Sequence, residues 1–221
     1  MAFNSPLEAT AMHTYPLFDK ATREQNVAFA RSRGFGTLAV NHETGPLLSL
    51  LPFLMDAEGR VAEMHLARSN PILKLLSEPQ PAVLSATGPD GYVSPDWYGV
   101  DDQVPTWNYV AVHFRGRLER RPSDALRTQI DGRSAHFEAK IAGKAPWTSD
   151  KMSEGLVDRM MRGIVLVRLN IDAVEGTWKL GQNKPDLARR GAADRIEDGS
   201  GTELALLAEL MRSVPDRATE G

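Results

Sequence analysis

Three runs of strand character, Phe35 to Asn41 (FGTLAVN), Pro46 to Met55 (PLLSLLPFLM) and Arg60 to Leu66 (RVAEMHL), are separated by His42-Glu-Thr-Gly45 and Asp56-Ala-Glu-Gly59. Linkers this short and polar, each ending in glycine, only let the chain reverse on itself. A parallel pairing needs a crossover of about a dozen residues or more. The runs therefore predict an antiparallel meander, and the parallel alternative is weak because the strands do not alternate regularly with crossover helices. With 221 residues and 42% hydrophobic residues there is ample material for a core.

The flanking segments extend this pattern. Thr22-Arg-Glu-Gln25 fits a capping box and predicts a helix over Thr22 to Ser32, stopped at Gly34. Gly34-Phe-Gly-Thr-Leu-Ala39 matches a dinucleotide fingerprint in letters only, because it follows a helix and opens a strand. Asn70-Pro71 predicts a short helix over Pro71 to Ser77. Pro81 to Ala86 reads as a strand, Gly88-Pro-Asp-Gly91 as a turn, Tyr92 to Ser94 as a short strand, and Pro95 to Gln103 as an exposed loop. A long strand follows over Thr106 to Arg120. Helices are expected over Ser123 to Ile141, with a break at Gly132, and over Asp150 to Met161. Gly163 to Ile171 and Gly176 to Leu180 read as two further strands, and Glu203 to Met211 as an amphipathic helix in a polar tail. The fold class is mainly β with helices, an antiparallel barrel carrying helical additions. We expect one domain over residues 12–213, with helical additions at about 122–161 and at the C-terminal end, and flexible tails at 1–11 and 214–221.

Composition removes several functions. There is no cysteine, so disulfides, thiolate metal sites and a cysteine nucleophile are out. The five histidines show no ligand spacing, and no metal is expected. No run of about 18 apolar residues and no basic, apolar leader occur, so the expectation is a cytoplasmic protein without a membrane partner. A formal charge of −3 gives no global reason to bind DNA. Local basic patches are conceivable at Arg115, Arg117, Arg120 and Arg121, or at Arg189 and Arg190.

Three segments carry chemistry. In Val104-Pro-Thr-Trp-Asn-Tyr109, strand alternation puts Trp107, Tyr109, Ala111 and His113 on one face and Asn108, Val110, Val112 and Phe114 on the other. The second set is a core face; the first is flat and partly polar. His65-Leu-Ala-Arg68-Ser69-Asn70-Pro71 joins a strand to a helix, where main-chain N–H groups, a guanidinium and a hydroxyl suit a phosphate, or simply form a cap. Trp178-Lys-Leu-Gly-Gln182-Asn183-Lys184 again combines tryptophan with amides, which donate and accept and so match the edge of a planar heterocycle. Core packing is the competing reading for each tryptophan. Tyr92-Val-Ser-Pro-Asp-Trp97-Tyr98 places aromatics in a loop that either covers a pocket or partner, or folds back on the barrel.

In chain order, His65–Pro71, Tyr92–Tyr98, Val104–Tyr109 with Ala111-Val-His113, and Trp178–Asn183, these four motifs resemble the PaiB-type FMN-binding negative transcriptional regulators over about Met12 to Met211. The resemblance implies a Greek-key-like FMN-binding split β-barrel of the pyridoxamine-phosphate-oxidase-like superfamily, a homodimer and FMN as cofactor. It implies phosphate contacts at Ser49, Leu50 and Leu51 and at Arg68, Ser69 and Asn70, with His65 also in the cofactor-binding set. Trp107, Asn108, Gln182 and Asn183 would border the ring. Ser49 to Leu51 lacks the arginine and lysine of the oxidases. DNA binding comes with the family name alone. The implied function is a flavin-dependent sensor or regulator. The alternative is an FMN-dependent oxidoreductase, with His113 or His65 as a proton donor. A haem-binding barrel would need a histidine as axial ligand.

Overall fold

A computed structural model of the chain describes His13 and residues 15–216; the tail expected over 1–11 and most of that expected over 214–221 lie outside them. The strands are β1 (Phe35–Val40), β2 (Leu47–Pro52), β3 (Leu54–Met55), β4 (Val61–Ala67), β5 (Gln80–Val93), β6 (Thr106–Arg120), β7 (Ile164–Lys179) and β8 (Gly201–Thr202). The α-helices are α1 (Arg23–Arg33), α2 (Ile72–Leu75), α3 (Ala125–Glu138), α4 (Leu156–Met161), α5 (Asp186–Arg195) and α6 (Leu204–Ser213). The hydrogen-bonded strand order is β2-β1-β5-β6-β7-β4-β3, with β8 beside β5. The chain divides into two compact units. The first comprises Met1–Asn26, Ala86–His113 and Val174–Gly221; the second comprises Val27–Ser85 and Phe114–Ala173.

The second unit holds the meander. β1 pairs antiparallel with β2, from Phe35 opposite Pro52 to Val40 opposite Leu47, and β4 pairs with β7, with Met64 opposite Val167. Alternation decides the faces: Ala62, Met64 and Leu66 are buried, while Glu63 and His65 lie on the opposite side of β4. The capping box of α1 is reciprocal. Thr22 N donates to Gln25 Oε1 at 2.8 Å, and Gln25 N donates to Thr22 Oγ1 at 3.2 Å. Gly34 ends the helix at φ +59°, its N–H on Ala30 O at 2.8 Å, and the chain passes straight into β1.

The first unit packs α5 and α6 together. Ala188, Ala192 and Ala193 of α5 and Leu207, Ala208 and Met211 of α6 are buried. β6 shows the predicted faces, with Asn108, Val110 and Val112 buried and Trp107 46% exposed. Phe114, in the second unit, is buried as well.

Several boundaries differ from expectation. No turn occurs at Gly88 to Gly91; β5 runs through it, and neither glycine has a positive φ. Gly91 is small for a packing reason: a Cβ there would lie 2.8 Å from Leu204. The strand absorbs Pro89 by a slip in alternation, Gly88 and Pro89 both being buried. The two strands expected at 163–171 and 176–180 are one, β7. Gly176 lies inside it because a Cβ would fall 2.2 Å from Asn26 Oδ1. The run from Pro46 to Met55 is split at Phe53, whose N–H turns to Gly34 O at 2.9 Å. α3 passes unbroken through Gly132, and the segment expected to be helical from Asp150 becomes α-helical only at Leu156, after a 3-10 turn at Ser149–Lys151. Pro95–Tyr98 is a 3-10 turn rather than an exposed loop, with Tyr98 buried. α5 was missed because its buried face is alanine and arginine, not large apolar side chains.

Candidate functional site

In the second unit the two segments expected to contact a phosphate meet. Asn70 Nδ2 donates to Ser49 Oγ at 2.8 Å, which ties β2 to the β4–α2 junction. Asn70 Oδ1 accepts from Ile72 N at 3.0 Å, so the amide is held at both ends. Ser49, having accepted one hydrogen bond, keeps its own O–H to donate. Arg68 is exposed; its Nε donates to Arg162 O at 2.8 Å and its Nη2 to Ile164 O at 3.4 Å. Two carbonyls thus orient a guanidinium that carries five N–H groups. Ser69 is exposed beside it. Alternation separates the neighbours of Ser49: Leu51 is 4% exposed and in the core, while Leu50 is 71% exposed on the opposite face.

His65, near the end of β4, lies in a different setting. Its Nδ1 is 2.6 Å from Arg133 Nη1, and Arg133 Nη2 donates to Gln129 Oε1 at 2.7 Å. Burial first, and then the neighbouring Arg133 charge, hold the His65 pKa down at about 4. The ring is therefore neutral at physiological pH and Nδ1 is the acceptor, which removes His65 as a cationic proton donor there. Burial lowers Arg133 to about 10, opposed by Glu63, whose Oε1 also accepts from Arg168 Nε at 3.0 Å. Arg133 Nε and Gln129 Nε2 are buried without a hydrogen-bond partner among the described residues.

The first unit contains a cavity of about 430 Å³, with Asn108 and Asn183 among its lining residues. Asn108 is 1% exposed, and its Nδ2 meets only the weak acceptor Met211 Sδ at 3.5 Å among its described contacts. Trp107, on the other face of β6, is not a lining residue. Gln182 turns to the main chain: its Oε1 accepts from Leu180 N at 2.8 Å and its Nε2 donates to Trp178 O at 2.5 Å. Trp178 Nε1 donates to Asn26 Oδ1 at 2.8 Å. Sequence reasoning passed over two lysines of this cavity. Lys179 Nζ donates to Thr106 Oγ1 and Lys184 Nζ to Gln103 Oε1, both at 2.6 Å. The signal was in the motif itself, where lysines bracket the amides. Tyr98, read as part of a loop, lines the same cavity, and its buried hydroxyl has no hydrogen-bond partner among the described residues.

The basic patches are largely consumed internally. Arg117 Nη2 donates to Pro79 O at 2.8 Å, Arg120 to Leu73 O, and Arg189 is 1% exposed. No helix among the described residues is long and apolar enough to cross a membrane.

Comparison with known proteins fits this architecture. The chain is 25% identical over 199 residues to "Protease synthase and sporulation protein PAI 2" of Bacillus subtilis, covering 89% of this chain and 95% of that protein. Among solved structures, the FAD and haem binding protein of Mycobacterium smegmatis superposes with a TM-score of 0.52 at 19% identity, covering 73% of each chain. The conserved hypothetical protein Rv2991 of Mycobacterium tuberculosis gives 0.52 at 17% identity, over 76% of this chain and 91% of that one. Those two likenesses speak to the fold, an antiparallel split barrel with helices. The family described as "Putative FMN-binding domain" matches residues 12–173, most of the chain, and the protein belongs to that family.

Proposed function

We propose that this protein binds FMN and acts as a flavin-dependent sensor or regulator, with the phosphate held in the second unit by Arg68, Ser69, Ser49 and Asn70. The observation that carries the reading is the 2.8 Å hydrogen bond from Asn70 to Ser49. It joins the two stretches that the family resemblance assigns to the phosphate. The donor set fits the group: one oriented guanidinium, two hydroxyls and an amide, with no carboxylate among them. Bound flavin would supply one- or two-electron redox chemistry, while the chain supplies orientation and charge. A regulatory output requires that the states of the bound group differ in affinity for two conformations or partners. The regulatory half draws on the name of the Bacillus relative, which concerns protease synthesis and sporulation.

A second copy of the chain is the partner we propose. β2 ends the strand order, and on its hairpin with β1 the side chains of Phe35, Leu48 and Leu50 are 51%, 61% and 71% exposed. An exposed apolar face on an edge strand favours a covering partner.

The test is titration of the purified protein with FMN and with riboflavin, followed by flavin fluorescence. Arg68→Ala should weaken FMN by about 10- to 100-fold, the worth of a charge-assisted hydrogen bond, and leave riboflavin nearly unchanged. Equal losses for the two would remove the phosphate role, and no affinity for either would remove the flavin reading.

A further inference from the structure

The cavity of the first unit has a charge pattern that its own side chains do not balance. Lys179 and Lys184 both line it, and none of its lining residues is a carboxylate. Their described hydrogen bonds go to neutral groups, the Thr106 hydroxyl and the Gln103 amide. The ammonium groups also face aromatic rings, Lys184 Nζ 4.8 Å from the Tyr98 centroid and Lys179 Nζ 5.9 Å from that of Phe18. Lys179 is pushed below the usual lysine range, first by burial and then by the charge of Lys184. Two like charges set around one concavity repel, and an anion between them relieves that repulsion.

A second, independent feature points the same way. Tyr98 is 3% exposed, and its hydroxyl has no partner among the described residues. Burial raises its pKa, so the phenol keeps its proton and is available as a donor. A buried donor without an acceptor is costly, roughly 1–3 kcal/mol by general experience, and an occupant bearing an acceptor removes that cost. Phe18 and Val104 give the wall apolar area beside the polar groups of His13, Tyr15, Thr106, Asn108 and Asn183, and about 430 Å³ is within the usual range for a small organic ligand.

We propose that this cavity binds a small flat organic anion, an aromatic carboxylate, with Lys179, Lys184 and the Tyr98 hydroxyl on its acidic end and Phe18 and Val104 against its ring. None of the phosphate residues proposed above lines the cavity, whereas Asn108 and Asn183, which the resemblance assigns to the flavin ring, do. A separate anion site therefore goes beyond FMN binding only if the two ligands bind together, which titration with and without FMN decides.

The test is calorimetric titration of the full-length protein, with and without saturating FMN, using 2-naphthoate, its neutral analogue 2-naphthamide, and inorganic phosphate. We expect saturable binding of one naphthoate per chain, with the amide about tenfold weaker or more and phosphate weaker still. Lys184→Gln and Lys179→Gln should each weaken naphthoate about tenfold while FMN affinity stays unchanged. Arg68→Ala should do the reverse. Tyr98→Phe, nearly isosteric, serves as a second variant that keeps the packing and removes only the donor; it should weaken naphthoate too. The proposal is overturned if naphthoate does not saturate, if the amide binds equally well, or if both lysine variants bind as the parent does. Competition between FMN and naphthoate would assign the cavity to the flavin ring and likewise end the claim of a separate anion site.

Discussion

Each unit buries an arginine, and the two are held in opposite ways. In the first, Arg189 is 1% exposed; its Nη1 donates to Met211 O at 2.5 Å and its Nη2 to Asp186 Oδ1 at 3.2 Å and Asp216 Oδ1 at 3.0 Å. In the second, Arg133 is 7% exposed and its hydrogen bonds go to the neutral acceptors His65 Nδ1 and Gln129 Oε1. A buried cation given carboxylates is compensated in charge as well as in hydrogen bonding. One given neutral acceptors relies on more distant compensation, here Glu63, and its pKa falls to about 10. The first arrangement resists substitution of the cation; the second makes the cation's environment sensitive to protons.

The largest expected effect is at Arg189. Arg189→Met leaves the Met211 carbonyl without this donor and takes one partner from each of Asp186 and Asp216, which stay partly solvated, and should cost about 3 kcal/mol or more, measured as a shift in urea midpoint. Arg133→Met leaves no carboxylate hydrogen bond broken and should cost well under half as much. Similar losses for the two would break the comparison.

The next effect is a pH dependence. His65 has its folded-state pKa depressed from 6.5 to about 4, so the unfolded chain binds more protons between those values. Stability from this group is therefore complete above about pH 6.5 and is lost as pH falls toward 4, by about 3 kcal/mol at most. His65→Gln keeps an acceptor for Arg133 and does not titrate, so its unfolding free energy should be flatter across pH 6.5–5. An unchanged slope in that variant would place the acid sensitivity elsewhere.

The smallest effect sharpens the first arrangement. Asp216 is about half exposed and shared by Arg189 and Arg190, so solvent screens it. Asp216→Asn should cost only about 1 kcal/mol or less and lose part of that in high salt. A loss as large as that of Arg189→Met would mean that one carboxylate, rather than the set, carries the compensation.

Much of the fold was legible because local rules act over a few residues. The capping box at Thr22 and Gln25, the stop at Gly34 and the two faces of β6 follow from neighbours within four positions. Gly91 and Gly176 misled for the same reason. Read locally, a glycine marks a turn or a strand start; here each is small because a distant side chain, Leu204 or Asn26, lies against it. α5 escaped because a helix can bury alanines and a paired arginine without showing an apolar stripe. At the candidate phosphate site, the residue types were visible in the order of the motifs, whereas the bond from Ser49 to Asn70 was not.

What the sequence determined by itself is where most of the strands lie, the antiparallel hairpin pairing of the first runs and the buried side of β4 and β6, all consequences of period and turn chemistry. Which side chains meet was decided only in three dimensions. Arg133 beside His65, and Lys179 near Lys184 and Tyr98 around one cavity, depend on the register and packing of segments far apart in the chain, and no rule confined to neighbouring residues specifies those.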